Sequence, residues 1–215
     1  MREIGSQVGY WDGVGATKTF THPVHLEWLD GVRRNARILD YGCGYGRIMA
    51  ELTAHGFTDV SGVDPSPALI SRGRRLWPDL RVEVLASPPT LPYASASFDV
   101  VLLFAVLTCV PDGDAQRALI AELVRVLVPG GLLYVSDPVL SDDERNRARY
   151  AAHARRFGTP YGVFATDDGV VCRHHDVTGL RALLADLDRL DERRIEVVTM
   201  NGHRSPAVQL LARRR

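Results

Sequence analysis

A glycine-rich segment near the start of the chain has residue types and spacing suited to holding a small ligand. The predicted strand Ala36–Tyr41 contains Asp40 and is followed at alternate positions by Gly42, Gly44 and Gly46. Glycine lets the backbone turn tightly and lets a ligand approach where a side chain would collide. The segment therefore predicts a ligand-binding turn at the end of a buried strand.

A second carboxylate follows about 20 residues later, where a second strand is expected to end. The apolar stretch Val60–Val63 leads into Asp64 and Pro65. Open α/β sheets bind ligands outside the carboxyl ends of their strands, and an acidic residue in this position holds the hydroxyls of a ribose. Together the two segments indicate a nucleoside-containing ligand.

The spacing of the glycines argues against a dinucleotide. The dinucleotide pattern G-x-G-x-x-G requires a third glycine for close packing of helix on strand. Counted from Gly42, that position is Arg47, and Gly46 comes one residue early. The Asp40 carboxylate would also repel a pyrophosphate, whereas it would attract the ammonium group of an amino acid. The pattern favours a ligand that combines a ribose with an amino acid.

The elements that must position these residues alternate between strand and helix, which predicts a mainly parallel sheet covered on both faces. Ser66 and Pro67 begin a helix, and Asp114 is predicted to cap a later one. Further strands are predicted at Arg81–Leu85, Phe98–Phe104 and Leu132–Ser136.

The alternation stops after the fifth predicted strand. Residues 138–176 contain a charged helix, Asp142–Arg156, and a hairpin of Val163–Ala165 with Val170–Cys172. A helix over Thr178–Leu187 follows. Two closing strands, Ile195–Met200 and Ala207–Leu211, are near enough in sequence to pair antiparallel. Before residue 36, one helix is predicted around Val24–Val32.

The ordered motifs of residues 36–137 resemble those of the class I S-adenosylmethionine-dependent methyltransferases, specifically the small single-domain, type 11-like group. The strand–D-x-G-C-G-x-G pattern is Asp40–Gly46, and later motifs are Leu91–Tyr93, Ser97–Val101 and Leu127–Leu133. The resemblance implies a Rossmann-like α/β fold: a seven-stranded, mostly parallel sheet with helices on both faces and the last strand antiparallel. It also implies a single domain over residues 1–215, with an N-terminal cap (1–35), a cofactor-binding core (36–137), a substrate-lid insertion after the fifth strand (138–176) and a closing helix and strands (177–215).

The resemblance implies S-adenosyl-L-methionine as cofactor and S-adenosyl-L-homocysteine as its product. By this resemblance Asp40, Gly42 and Gly44 would surround the methionine part, and Asp64 would hold the ribose. Ala86 and Ser87 would flank the adenine, and Phe104 would lie near the methionine part. Many relatives have Gly-Asp at the end of the third strand, where this chain has Ala86-Ser87. The Tyr10-Trp11 pair is either a lid over the cofactor or packing at the sheet edge. The cofactor-binding candidates are Tyr10, Trp11, Asp40, Gly42, Cys43, Gly44, Gly46, Asp64, Pro65, Ala86, Ser87 and Phe104.

Three histidines are candidate bases: His22 in the cap, and His174 and His175 at the end of the insertion. Methyl transfer is an in-line displacement in which positioning supplies much of the acceleration. A base is needed only where the acceptor must lose a proton. The alternative for each histidine is a structural hydrogen bond. No metal site is predicted, because His174 and His175 are neighbours in an extended segment and their side chains would point to opposite faces.

Composition narrows the partners and the compartment. The 26 basic residues balance 26 acidic ones, which gives no electrostatic reason to expect nucleic acid or a membrane surface. Three widely spaced cysteines and an N-terminus without an apolar core favour a cytoplasmic protein. The sequence does not indicate an oligomeric state.

The predicted function is methyl transfer to an oxygen or nitrogen of a small-molecule acceptor, as in specialised metabolism. One alternative is a protein of the same fold that binds S-adenosylmethionine but catalyses a non-methylating reaction. The other is an NAD-dependent oxidoreductase, which Arg47 and Asp40 disfavour.

Overall fold

The computed structural model describes residues 7–215. The prediction that the N-terminus lacks an apolar core concerns residues 1–6, which lie outside the described residues. The strands are β1 (Arg37–Tyr41), β2 (Asp59–Asp64), β3 (Arg81–Val84), β4 (Phe98–Phe104), β5 (Leu127–Pro138), β6 (Val163–Ala165), β7 (Val171–Arg173), β8 (Leu187–Val198) and β9 (Arg204–Arg214). Seven of them form a central sheet with the order β3-β2-β1-β4-β5-β9-β8, and β6 and β7 form a separate hairpin.

The strand directions confirm the predicted fold class. Strands β1 to β5 pair in parallel, whereas β9 is antiparallel to both β5 and β8. Both closing strands are longer than predicted. Strand β8 begins at Leu187 rather than at the predicted Ile195. The sequence did not indicate this first half, because it is a largely exposed run of charged residues without apolar alternation.

Helices cover both faces of the sheet, as the strand sequences require. In β1, Ile38 packs into the cluster under α2 and α3, while Leu39 packs into the cluster under α4 and α6. Val100 and Val101 of β4 divide in the same way, because successive side chains of a strand point to opposite faces. The helices are α1 (Val8–Asp12), α2 (Arg47–Ala54), α3 (Pro67–Leu76), α4 (Gly113–Val126), α5 (Glu144–Phe157) and α6 (Val177–Leu183).

Two helix predictions are corrected by the structure. Helix α4 is capped by Asp112, whose side chain accepts from the Ala115 amide at 2.8 Å. Asp114 lies in the first turn, where its exposed carboxylate pairs with Arg117. The predicted Val24–Val32 helix is only a 3₁₀ turn at Leu26–Leu29, because tertiary contacts of its side chains and backbone override a weak local preference.

The insertion folds largely as predicted, with α5 followed by the hairpin of β6 (Val163–Ala165) and β7 (Val171–Arg173). Side chains of α5 and the hairpin form a small core that also contacts Tyr10 and Trp11 of the cap. The insertion and the cap therefore meet at the carboxyl end of the sheet. Within residues 7–215, no helix is long and apolar enough to cross a bilayer.

Candidate active site

A first cavity opens where β1, β2 and β4 end, beside the glycine-rich turn. Its volume is about 1050 Å³ including its mouth. Gly42 and Gly44 line it with φ of +74° and +56°, a backbone region that residues with side chains rarely adopt. Predicted cofactor residues that line this cavity are Trp11, Asp40, Gly42, Cys43, Gly44, Asp64, Pro65 and Phe104.

Asp64 stands at the end of β2 and is fixed by the backbone on either side of the cavity. One carboxylate oxygen accepts from the Gly44 amide at 2.9 Å, and the other accepts from the Ser66 amide at 2.8 Å. Burial raises the pKa of Asp64 to about 6, although these two bonds act in the opposite direction. The carboxylate is thus rigidly held and keeps lone pairs for further donors.

Asp40 is the second buried carboxylate of this cavity. Its Oδ2 atom is buried and has no hydrogen-bond partner within the described part of the chain. Burial raises the pKa of Asp40 to about 7, and the nearby Arg47 cation partly offsets this shift. A buried, unpaired carboxylate oxygen costs free energy unless a ligand supplies a donor.

These features fit S-adenosylmethionine. The unpaired oxygen of Asp40 suits the ammonium group of the methionine part. The fixed carboxylate of Asp64 suits a ribose diol. A side chain at Gly44 would be crowded, because a Cβ atom there would lie 3.2 Å from the Phe20 ring, so glycine suits this part of the cavity wall.

A second cavity, of about 800 Å³, adjoins the first. The two share Trp11, Phe20, His22, Ala105 and Cys109 in their walls. Most of the other residues that line the second cavity belong to the insertion and to the β8–β9 connection, with Thr21 from the cap and Thr108 from the segment after β4. We call the five shared residues the seam, because each of them lines both cavities.

His22 is the one predicted base that lies at the seam. Its Nδ1 is 2.9 Å from the Ser136 hydroxyl, and Arg47 donates to its backbone carbonyl. Burial, reinforced by the Arg47 charge, lowers the pKa of His22 to about 4. The imidazole is therefore neutral at pH 7. With its Nδ1 proton donated to Ser136, it would present a free Nε2 lone pair.

The other two histidines have different surroundings. His174 lines only the second cavity, and its Nδ1 lies 2.6 Å from the Tyr150 hydroxyl. His175 lines neither cavity; its Nε2 is 2.8 Å from the Gln116 amide nitrogen, and its Nδ1 is 3.7 Å from an Asp137 oxygen. Burial lowers the pKa of both to about 3. The surroundings of His175 are those of a structural residue.

Four of the predicted cofactor residues do not line the first cavity. The Tyr10 hydroxyl is 2.9 Å from an Asp168 oxygen, and Tyr10 packs with the insertion. A Cβ on Gly46 would face Leu80, away from the cavity, because this residue precedes α2 in a left-handed conformation. Ala86 and Ser87 are exposed, and Pro88 occupies the wall instead.

Several cavity residues were not predicted as site residues. Arg47 and Pro88 line the first cavity, and Ala105 lines both. Arg145 and Arg149 line the second. Of these residues, only Arg145 and Arg149 could have been noticed in the sequence, because their four-residue spacing places them on one face of a helix.

Comparisons with known proteins agree with this geometry. Residues 39–135 match the family model described as a methyltransferase domain. This part of the chain is therefore similar to a methyltransferase domain. An O-methyltransferase of Pyrenophora dematioidea is 34% identical over 147 residues, which are 63% of this chain and 54% of that protein. The 27-O-demethylrifamycin SV methyltransferase of Amycolatopsis mediterranei is 31% identical, with 70% of this chain and 57% of that protein covered.

The fold of the chain also has a solved counterpart. An S-adenosylmethionine-dependent methyltransferase from Methanosarcina mazei superposes with a TM-score of 0.83, at 23% identity over 90% of this chain and 99% of that one. The chain spans about half the length of the curated relatives it matches.

Proposed function

We propose that the protein transfers a methyl group from S-adenosylmethionine to an oxygen or nitrogen of a small-molecule acceptor. The observation that carries the proposal is the buried Asp40 carboxylate oxygen, which lacks a protein partner in a cavity that also holds Asp64. Two buried carboxylates favour a cationic ligand with a diol and disfavour a pyrophosphate, so the dinucleotide alternative loses support. The names of the O-methyltransferase relatives support an oxygen acceptor.

The adjoining second cavity supplies the place for the acceptor. A nucleophile there would meet the methyl group at the seam, in line with the sulfur atom held in the first cavity. The bound cofactor would supply an electrophilic methyl group on a sulfonium. Holding the acceptor, excluding water and receiving its proton would fall to the protein, with His22 as the base.

The domain roles follow from this arrangement. Residues 36–137 would form the cofactor-binding core, while the cap (1–35) and the insertion (138–176) would enclose the acceptor. Residues 177–215 would close the sheet and contribute the β8–β9 wall. The acceptor would be a metabolite rather than a macromolecule, because both cavities are recessed between elements of one chain.

Two measurements test the proposal. Calorimetry should show binding of S-adenosylmethionine and S-adenosylhomocysteine, with no binding of NAD at matched concentrations. Release of S-adenosylhomocysteine should then be measured against a panel of phenols, carboxylic acids and amines. Absence of cofactor binding would overturn the proposal. Tight cofactor binding with no methyl transfer to any acceptor, together with conversion of a substrate by another route, would establish the non-methylating alternative.

A further inference from the structure

The charges around the second cavity are strongly one-sided. Arg145, Arg149 and Arg204 are in its walls, and no aspartate or glutamate is among its lining residues within 7–215. The whole sequence, by contrast, has equal numbers of basic and acidic residues. The excess of positive charge is therefore a local property of this cavity.

Of the three arginines, Arg149 has the clearest lack of an anionic partner. Its guanidinium lies 3.4 Å from the centre of the Phe164 ring, which holds the group flat against the wall. Its Nε is buried and has no hydrogen-bond partner among the described residues. No carboxylate of residues 7–215 is within 4.0 Å of its nitrogens.

Arg145 precedes Arg149 by one helical turn, so the two cations share a face of α5. Like charges at this spacing repel, and burial together with the Arg145 charge lowers the pKa of Arg149. Glu144 adjoins Arg145 in sequence but forms no ion pair within 4.0 Å among residues 7–215. Asp143 is already engaged: it accepts from the Ser141 hydroxyl and from the Asn146 amide as the cap of α5. Arg204 is paired with Glu196 on the surface. The Arg145–Arg149 pair is thus the uncompensated charge.

We infer that the methyl acceptor is an organic carboxylate, whose anionic group is bound by Arg149 and Arg145 while its apolar body lies against Trp11, Phe164 and Met200. A guanidinium presents paired donors that match the two oxygens of a carboxylate. The three apolar side chains also line the second cavity, and Trp11 belongs to the seam. The inference rests on the proposed function, since it identifies the substrate class of the same site.

The test measures binding to the protein saturated with S-adenosylhomocysteine, so that no turnover is required. The probes are hydroxylated benzoates, phenylacetates and cinnamates, each paired with its primary amide. We expect the carboxylate of at least one pair to bind about tenfold tighter than its amide, as loss of a charge-assisted bond predicts. Arg149→Gln should remove this preference, and Arg149→Lys should retain part of it.

The matched control is Arg147→Gln, which removes an exposed arginine of α5 that lines neither cavity. It should bind the probes like the parent protein. Melting temperature and S-adenosylhomocysteine affinity verify that each variant is folded. Equal binding of acids and amides, a preference that survives both Arg149→Gln and Arg145→Gln, or no binding of any carboxylate would overturn the inference. Turnover of a neutral acceptor in that case would leave the proposed function intact, whereas failure to bind either cofactor form would count against that function separately.

Discussion

The two cavities of this protein are opposite in charge and in origin. The first holds two buried carboxylates and is formed largely by the ends of parallel strands and the glycine-rich turn. The second has arginines and no carboxylate in its described walls, and it is formed by the cap, the insertion and the β8–β9 connection. The difference suggests a division of labour, with a cationic ligand in the core and an anionic one under the added segments.

The largest expected effect is at His22, a seam residue that lines both cavities. His22→Ala should lower the single-turnover rate of methyl transfer about hundredfold at saturating cofactor, because a positioned base contributes at least this much. The pKa of His22 is lowered to about 4 rather than staying near 6.5. The rate should therefore rise with pH near 4 and show no histidine-dependent change between pH 5.5 and 8.

His55→Ala is the matched control, since His55 is exposed and contacts only its own helix. Parental rates in His22→Ala would show that positioning alone accelerates the reaction. A loss confined to His174→Ala would instead transfer the role of base to the second cavity.

The second-largest effect is expected at Asp64, whose carboxylate is held by two backbone amides. Asp64→Ala should weaken S-adenosylmethionine binding by roughly 1.5–3 kcal/mol, since charge-assisted hydrogen bonds to the ribose would be lost. Calorimetry provides the measurement, and Asp59→Ala, at the other end of β2, provides the control. Melting temperatures must accompany it, because the Gly44 and Ser66 amides also lose their acceptor. Undiminished affinity in the folded variant would rule out the ribose assignment.

A somewhat smaller effect is expected for the carboxylate that has an unpaired oxygen. Asp40→Asn should weaken S-adenosylmethionine binding about tenfold at pH 8 and much less at pH 5.5, where Asp40 is protonated in the free protein. Asp99→Asn, at the opposite end of the sheet, should bind normally at both pH values. Equal loss at the two pH values would contradict an ionic contact with Asp40.

The Asp40→Asn variant should be at least as stable as the parent protein at pH 8. Burial raises the pKa of Asp40 to about 7, so the folded state binds a proton that the unfolded state releases near pH 4. The Asp40 contribution to the stability of the ligand-free protein should therefore fall as pH rises from about 4 to 7, by up to roughly 1.4 kcal/mol per pH unit. The buried histidines, whose pKa values are lowered, contribute in the opposite direction. The difference in free energy of unfolding between the parent and Asp40→Asn, measured by urea unfolding across this pH range, should isolate the Asp40 contribution.

The smallest effect is expected where the cap is tied to the walls of the second cavity. The Lys18 ammonium is 2.7 Å from an Asp168 oxygen and 2.5 Å from the Asn201 side-chain oxygen. Lys18→Met should raise the acceptor KM severalfold and leave cofactor affinity unchanged, since ion pairs near the surface contribute at most about 1 kcal/mol. Asp167→Asn is the exposed neighbour control. An equal change in cofactor affinity would show that the two cavities are not independent.

Much of the first cavity could be predicted from sequence because its signals are local. The cap of α3 by Ser66 is confirmed, as are the bounds of β4. The Asp40 and Asp64 positions follow from strand ends and glycine spacing. The adenine contacts of Ala86 and Ser87 stay a prediction; of this loop, Pro88 lines the cavity and those two residues do not.

The second cavity could not be predicted in the same way. Its walls combine Trp11 and residues 20–22 of the cap with the insertion and the β8–β9 connection, which only tertiary folding brings together. The pairing of His175 with Gln116 spans 59 residues and leaves no local pattern. Adjacent histidines therefore appeared equivalent in sequence, although one lines a cavity and the other is packed inside.

Ala105 has a consequence for how this protein can change over evolutionary time. It adopts a φ of +55° without being glycine, and its amide donates to the Ser136 carbonyl at 2.7 Å. Such a conformation costs energy and persists only where surrounding structure fixes it. The seam is thus anchored to the central sheet, while the outer walls are connections that tolerate replacement. Under the proposed function, new acceptors could be accommodated by altering those connections without rebuilding the seam.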